Sequence, residues 1–248
     1  MIEIRGLRKR LGGKQVLDGV DLDVQTGQTV VVLGPSGTGK SVLLKHVLGL
    51  MQADAGSILV DGEEIVGRRE RELNPIRRRF GMLFQGSALF DSMTVGENVG
   101  LALREHTDLP DEEIDKQVRE RLEWVGLTDA EPLKPASLAG GMRKRVGLAR
   151  AIVMDPQFIL YDEPTTGLDP IVADVIDRLI RDLQRRMGVT SVVVTHDLNS
   201  AFKVADRLAM LLGGRIVWTG TPAELRATRD PIMRQFMEGT SDGPIQPA

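Results

Sequence analysis

A phosphate-binding loop is encoded near the start of the chain, at residues 34–41. Its residues are Gly34, Pro35, Ser36, Gly37, Thr38, Gly39, Lys40 and Ser41, which match the pattern G-x-x-x-x-G-K-[ST]. Glycine lets the backbone turn so that successive N–H groups point at phosphate oxygens, and the helix that follows adds partial positive charge. We therefore expect the loop to cradle a nucleoside triphosphate, with Lys40 at the β- and γ-phosphates and the Ser41 hydroxyl on Mg²⁺.

A pair of carboxylates, Asp162 and Glu163, follows a second apolar run at residues 158–161. At the carboxyl end of a buried strand, side chains emerge beside the phosphate loop, where ligands of α/β sheets bind. Two adjacent carboxylates are costly without a cation, and Mg²⁺ supplies one. We expect Asp162 to bind Mg²⁺, directly or through water, and Glu163 to polarise the attacking water. A solvated strand end is the alternative for the pair considered alone.

The elements that must position these groups alternate between strands and helices. The run TVVVLG at 29–34 has the continuous apolar character of a strand buried on both faces. After a β-rich opening, the pattern predicts strands at 58–60, 80–84, 158–161, 191–195, 208–212 and 215–219, and helices at 40–50, 171–187 and 197–205. Between 94 and 150 the apolar residues recur every three or four positions, which predicts a helical insert. The alternation predicts a mainly parallel sheet with helices on its faces.

The composition excludes several classes of function. The chain has 248 residues, of which 42% are hydrophobic and 27% charged, and this suits one large α/β domain. The net charge of −3 gives no basic footprint, so we expect no nucleic-acid partner. The absence of cysteine excludes disulfides, thiolate metal sites and a cysteine nucleophile. No segment approaches the roughly 20 apolar residues that span a bilayer, so we expect the chain in the cytoplasm unless a partner holds it at a membrane.

A further set of motifs narrows the choice of protein family. The sequence SLAGGM at 137–142, named here the signature segment, precedes a basic helical run at 143–152. Gln85 follows a predicted strand, the sequence GLD at 167–169 follows the acid pair, and His196 ends another strand. In this order and spacing the chain resembles the ATP-binding subunits of ABC transporters over residues 2–225. The resemblance implies an α/β fold: an ABC-type P-loop NTPase with a RecA-like core, an N-terminal antiparallel β part and an inserted helical subdomain.

The resemblance also implies domain limits and roles. Residues 1–238 would form one ATPase domain, with the core at about 1–85 and 151–225, the helical subdomain at about 86–150 and a tail at 239–248. The turn residues and low apolar content of this tail predict an extended conformation. ATP and Mg²⁺ are the implied cofactors. The catalytic residues would be Glu163, His196 and Gln85, the metal ligands Ser41, Gln85 and Asp162, and further nucleotide contacts Leu11, Ala139, Gly140, Gly141 and Asp169. The signature segment of one copy would cover the γ-phosphate of ATP bound to a second copy.

Two positions depart from the family pattern. Ala139 replaces the usual serine and removes a hydroxyl that could contact the γ-phosphate, so we expect slower turnover rather than none. Leu11 stands where an aromatic residue usually stacks on adenine. Leucine can pack against the base without ring-on-ring geometry. We therefore expect weak discrimination between ATP and GTP.

Within the family, the chain looks closest to the ATPases of the Mla/MCE-type lipid transporters. The resembling segments are 84–99, 138–152 and 235–245. This resemblance implies an integral membrane permease docking at 86–99, an MCE-type lipid-binding protein acting through the permease, and a peripheral location on the cytoplasmic face of the inner membrane. The apolar residues of 86–99 could instead belong to the core of the helical insert. The alternatives in function are an ABC transporter for amino acids or metals, a soluble ABC ATPase acting on DNA ends or ribosomes, and a small-molecule kinase.

Overall fold

The computed structural model describes residues 1–246, in which two sheets are packed with helices. The strands are β1 (Ile2–Leu11), β2 (Lys14–Val24), β3 (Thr29–Leu33), β4 (Ala55–Val60), β5 (Glu63–Glu64), β6 (Phe80–Leu83), β7 (Phe158–Asp162), β8 (Thr190–Thr195), β9 (Arg207–Leu212) and β10 (Arg215–Gly220). The helices are α1 (Lys40–Val47), α2 (Glu70–Arg77), α3 (Val95–His106), α4 (Asp111–Trp124), α5 (Gly140–Ile152), α6 (Pro170–Met187), α7 (Leu198–Val204), α8 (Pro222–Ala227) and α9 (Pro231–Glu238). A 3₁₀ turn at Pro135–Ser137 leads into α5.

The larger sheet has six strands in the order β10-β9-β3-β8-β7-β6. All neighbours pair in parallel except β10, which is antiparallel to β9. The mainly parallel sheet predicted from the sequence is therefore confirmed. In register, Leu33 lies beside Thr195 and Asp162 beside Val194, so the segments that follow β3, β7 and β8 meet at one edge of the sheet.

The smaller sheet is antiparallel, in the order β2-β1-β4-β5. Alternate residues of β1 and β2, such as Ile2, Ile4 and Val24, are buried. They pack in one cluster with apolar residues of α1 and with one face of the parallel sheet. The antiparallel part expected at the N-terminus is thus present. It lies over the same face of the parallel sheet as α1.

The segment between β6 and β7 is helical, as its periodicity predicts. On α4 the apolar residues Ile114, Val118 and Leu122 are buried, each at most 2% exposed. These residues belong to the same cluster of buried side chains as Val31 and Tyr161 of the parallel sheet. The helical segment and the sheet therefore share one continuous core.

Two details differ from the sequence-based expectation. The helix predicted over residues 40–50 ends at Val47, because Gly49 adopts a left-handed φ of 62° that stops the helix. The predicted tail folds back on its own chain, where the buried Gln235 amide donates to the Ile245 carbonyl at 3.0 Å and accepts from its N–H at 2.6 Å. Residues 247 and 248 of that predicted tail lie outside the described residues. Among the described helices, none has the length and apolar content needed to cross a bilayer.

Candidate active site

The phosphate loop joins β3 to α1 and is shaped by its glycines. Gly39 has a φ of 100°, and a Cβ added there would lie 2.9 Å from Val16 Cγ1. A Cβ on Gly34 would lie 2.4 Å from the Leu211 carbonyl oxygen. Larger residues do not fit at either position, so the backbone is held close to its neighbours. The loop residues predicted from the sequence therefore form a backbone-lined cradle at the N-terminus of α1, the arrangement that anion binding requires.

Lys40 is buried inside this cradle, with a side chain only 6% exposed. Its ammonium donates to the carbonyl oxygens of Gly34 at 2.8 Å and Pro35 at 3.1 Å. It also lies 3.4 Å from Glu163 Oε1. The positive charge of Lys40, which the sequence predicts to bind the phosphates, thus lies between the loop and the acid pair.

Ser41 and Asp162 face each other across the sheet edge. The Ser41 hydroxyl donates to Asp162 Oδ1 at 2.8 Å. Burial raises the pKa of Asp162, and the hydrogen bond from Ser41 opposes that shift. A hydroxyl and a carboxylate at this separation are oxygen donors of the kind Mg²⁺ prefers, with water completing its coordination. The residues present therefore fit the magnesium ion that the motif implies.

The Glu163 carboxylate is the most densely contacted group of the site. Its Oε2 accepts from the hydroxyls of Thr166 at 3.0 Å and Thr195 at 3.3 Å, and it lies 2.9 Å from His196 Nδ1. Burial on its own would raise the pKa of Glu163. The hydrogen bond with His196, the charge of Lys40 and the remaining contacts outweigh it, so the pKa is lowered. The carboxylate is therefore held ionised near neutral pH, as a proton acceptor must be.

His196 is positioned by the turn that follows β8. Asp197 caps α7 by accepting from the Asn199 N–H at 2.9 Å, and its other oxygen accepts from Ser200 at 2.9 Å. The Ser200 hydroxyl also lies 3.1 Å from the Thr165 hydroxyl, next to the acid pair. The Ser200 oxygen also lies 3.1 Å from Oδ2 of the buried Asp177, whose pKa is raised by burial to about 6. Through this network, the turn at His196 and the turn after Glu163 are fixed relative to each other.

Gln85 contributes differently from the expectation. Its side chain is exposed, and within residues 1–246 it makes no hydrogen bond to the acid pair. Its main-chain carbonyl, however, accepts a hydrogen bond from Lys144, which also donates to the Glu163 carbonyl at 3.2 Å. Three further residues contact Glu163 although no sequence motif marks them: Lys144, Thr166 and Thr195. Lys144 falls on the apolar face of its helix, and that placement is the signal that could have identified it.

The signature segment begins α5 and lies against α6. Ala139 is the N-cap of α5, and a Cβ on Gly141 would lie 2.4 Å from Val172 Cγ1 of α6. Asp169 caps α6 by accepting from the N–H groups of Ile171 at 3.0 Å and Val172 at 3.1 Å. Within the described part of the chain, no hydrogen bond joins residues 139–141 to the phosphate loop. The two segments thus stand at the N-termini of two different helices, α1 and α5.

Leu11 lies at the end of β1, where it is 38% exposed. It pairs with Lys14 across the tight turn to β2. Val16 on the same hairpin approaches Gly39 of the phosphate loop. The Leu11 side chain is therefore available on the surface of the hairpin that borders the cradle, as an apolar base contact would require.

Comparison with known proteins gives relatives along almost the whole chain. Residues 17–166 match the family model described as "ABC transporter". The "Probable ribonucleotide transport ATP-binding protein mkl" of Mycobacterium leprae is 45% identical over 244 residues, covering 98% of this chain and 70% of the relative. The "Intermembrane phospholipid transport system ATP-binding protein MlaF" of Escherichia coli is 41% identical over 245 residues, covering 99% of this chain and 91% of the relative.

Solved structures of the same architecture include two ATPase cassettes. A dimeric post-hydrolysis state of the ATP-binding cassette MJ0796, bound to ADP and Pi, has a TM-score of 0.83 and 32% identity, and the match covers 90% of this chain and 99% of that one. The cbiO1 protein from Clostridium perfringens, part of the ABC transporter complex cbiONQ, has a TM-score of 0.84 and 28% identity, with 95% and 94% covered.

Proposed function

Since the chain belongs to the ABC transporter family and is an ATP-hydrolysing transporter subunit, we propose that it drives phospholipid transport between the inner membrane and the cell envelope. The resemblance inferred from the ordered motifs is confirmed. The names of the relatives do not agree on the transported substrate: one names ribonucleotide and the other phospholipid. The observation that carries the phospholipid proposal is the match to MlaF, which extends over 99% of this chain and 91% of that protein.

The proposed working unit is a pair of chains with ATP between them. The phosphate loop of one copy would hold the triphosphate, and the signature segment of the other would cover the γ-phosphate. This arrangement is supported by the position of the two segments at the N-termini of different helices, α1 and α5. It is also supported by the dimeric state of the similar cassette bound to ADP and Pi. Two ATP molecules would then favour the closed pair, and hydrolysis would release it.

The proposed hydrolysis follows from the contacts around Glu163. Lys40 and the loop N–H groups would stabilise the negative charge on the phosphates. Mg²⁺, held by Ser41 and Asp162, would supply charge neutralisation for the transferred phosphoryl group. Glu163, kept ionised, would accept a proton from the attacking water, and His196 beside it would contact the γ-phosphate. Gln85 would complete the site when its exposed side chain turns toward the metal.

A serine at position 139 tests the proposed contact with the second copy. Ala139 caps α5 with an extended backbone and no side-chain hydrogen bond, so Ala139→Ser adds a cap worth about 0.5–2 kcal/mol. We expect the melting temperature to rise by about 2–4 °C per kcal/mol. If the hydroxyl also contacts the γ-phosphate, kcat/KM for ATP rises by about tenfold. Calorimetry and phosphate release measure the two effects.

The control for this substitution is Ala136→Ser, at an exposed alanine outside the cap. It should change neither quantity. If the melting temperature rises but hydrolysis is no faster, the serine only caps α5, and the proposed contact with the γ-phosphate is contradicted.

An apolar groove of about 710 Å³ provides the proposed docking site for the membrane partner. Its apolar lining includes Phe84 and Phe90, which are 36% and 50% exposed. Arg150 and Glu105 supply charge at the same groove. Apolar grooves with such anchors accept amphipathic helices. The segment 86–99 contributes Ala88 and Phe90 to the groove, in support of a permease helix binding there.

Co-purification with a permease, followed by transport in proteoliposomes, tests this function. Phe90→Asp places a charge in the groove, so we expect it to abolish recovery of an integral membrane permease in detergent while ATP binding is retained. Val217→Asp, at an apolar residue of β10 that is 41% exposed outside the groove, is the control. The recovered complex should transfer fluorescent phospholipid between vesicles only with ATP. Transfer of ribonucleotide without phospholipid would refute the proposed cargo.

A further inference from the structure

Lys144 is a buried cation that the proposed mechanism does not use. It lies in the second turn of α5, and only 5% of it is exposed. The transfer of a lysine ammonium from water to the protein interior costs free energy unless the ammonium is well hydrogen-bonded there. Its Nζ donates to two main-chain carbonyl oxygens, those of Gln85 and Glu163, which belong to different strand ends. Burial lowers the pKa of Lys144, and the nearby carboxylates of Asp162 and Glu163 oppose that shift.

The position of Lys144 depends on a close approach of α5 to the sheet. A Cβ on Gly147 would lie 2.7 Å from Leu83 Cδ1, at the end of β6. Glycine at this position therefore lets the helix lie directly against the strand that leads to Gln85. Leu148 and Ile152 continue the same helical face and are fully buried. The ammonium of Lys144 thus extends across the ends of β6 and β7 from a fixed helix.

The backbone of Glu163 needs such support. Its φ of 47° is left-handed, a strained conformation that a residue other than glycine keeps only where the surroundings hold it. The Glu163 N–H donates to the Val194 carbonyl at 2.9 Å, and the Glu163 carbonyl accepts from Lys144 at 3.2 Å and from the Thr166 N–H at 3.4 Å. These bonds fix the peptide groups on either side of Glu163. Without the Lys144 ammonium, only the longer bond from Thr166 would hold this carbonyl, so the peptide could rotate and carry the carboxylate away from His196.

The same helix also holds the segment that follows Gln85. The Arg150 guanidinium donates to the carbonyls of Ser87 at 2.7 Å and Ala88 at 2.6 Å. Both residues have left-handed backbones, with φ of 63° and 47°. Ala88 and Arg150 line the apolar groove. A partner bound in the groove therefore contacts a segment that is joined to Glu163 by α5.

We propose that Lys144 is a positioning residue, whose bonds to the Gln85 and Glu163 carbonyls hold the hydrolytic carboxylate in place and link it to the groove. This inference rests on the proposed role of Glu163 in activating water. It assigns Lys144 to the hydrolytic step and to its regulation by the membrane partner, and gives it no part in binding ATP.

The separate measurement of kcat and KM on the full chain tests the inference. Lys144→Met removes the donor and keeps an unbranched side chain that is one heavy atom shorter. We expect kcat for MgATP to fall by about tenfold or more, as the loss of a charged hydrogen bond predicts. KM and the affinity for a fluorescent ATP analogue should stay within about twofold, because Lys144 does not touch the phosphate loop. Lys144→Arg keeps charged donors and should restore kcat to within about threefold.

The control is Lys116→Met, which removes the same charge from a side chain that is 70% exposed on α4. Unchanged kcat in Lys144→Met, or a rise in KM with kcat unchanged, would overturn the inference. So would an Arg variant that folds and hydrolyses no faster than the Met variant. If Lys144→Met does not fold, Lys144→Gln, which keeps an amide donor, is measured in the same way.

A Glu163→Gln variant separates this inference from the function on which it rests. If Glu163→Gln keeps full turnover, the role of Glu163 fails whatever Lys144 does. If Glu163→Gln is inactive while Lys144→Met is fully active, only the positioning role of Lys144 fails.

Discussion

ATP turnover is expected to fall by about 10²–10⁴-fold when Glu163 is replaced by glutamine. The amide has the size of the carboxylate, and it can still contact Thr166 and His196. It cannot accept a proton from water. MgATP affinity should therefore stay within about threefold of wild type. Phosphate release by the full chain measures turnover, and the fluorescence of a labelled ATP analogue measures binding.

The same variant should accumulate as a pair of chains in MgATP. If closure needs ATP and reopening needs hydrolysis, blocking hydrolysis traps the closed pair. Light scattering with and without nucleotide reports the change in mass. Glu123→Gln, at an exposed glutamate on α4, is the matched control and should behave as wild type. Retained turnover in Glu163→Gln would remove this carboxylate from the hydrolytic role.

The second large effect is expected for Lys40→Met, which should weaken MgATP binding by about 10- to 100-fold. Lys40 would bring a full charge to the phosphates, whereas the remaining loop N–H groups bring only partial charges. Methionine fills the same buried space and needs no hydrogen bonds, so the chain should remain folded. Titration with the labelled ATP analogue measures affinity, and circular dichroism checks folding.

Lys116→Met serves again as the control, because it removes one exposed positive charge far along the chain from the loop. Wild-type affinity in a folded Lys40→Met variant would contradict the assignment of residues 34–41 as the phosphate cradle. A loss shared by the control would indicate a general charge effect.

Local patterns predicted most of the elements at the sheet edge. The runs before Gly34 and Asp162 are apolar throughout, and such runs form strands buried on both faces. In a parallel sheet the carboxyl ends of such strands align, so the loop and the acid pair are brought together by topology alone. The proximity of Ser41 to Asp162 could therefore be expected from the sequence.

The contacts of Glu163 could not be predicted in the same way. The left-handed backbone at Glu163 and the hydrogen bonds from Thr166 and Thr195 to its carboxylate are tertiary features that no local sequence pattern encodes. Lys144 is an intermediate case. Its spacing from Leu148 and Ile152 places it on the buried helical face. In the sequence, however, it stands between two other basic residues, and this basic run conceals its buried position.

The shared core of the helical segment and the sheet has a mechanical consequence. Val99 and Leu122 of the helices belong to the same packed cluster as Leu33 and Tyr161, which flank the phosphate loop and the acid pair. Protein interiors are packed about as densely as organic crystals, have low compressibility and transmit strain. Strain that the proposed membrane partner applies to the outer helices would therefore reach the sheet edge through one continuous set of packed side chains. The docking groove and the proposed hydrolytic site would then be coupled mechanically, without a separate moving part between them.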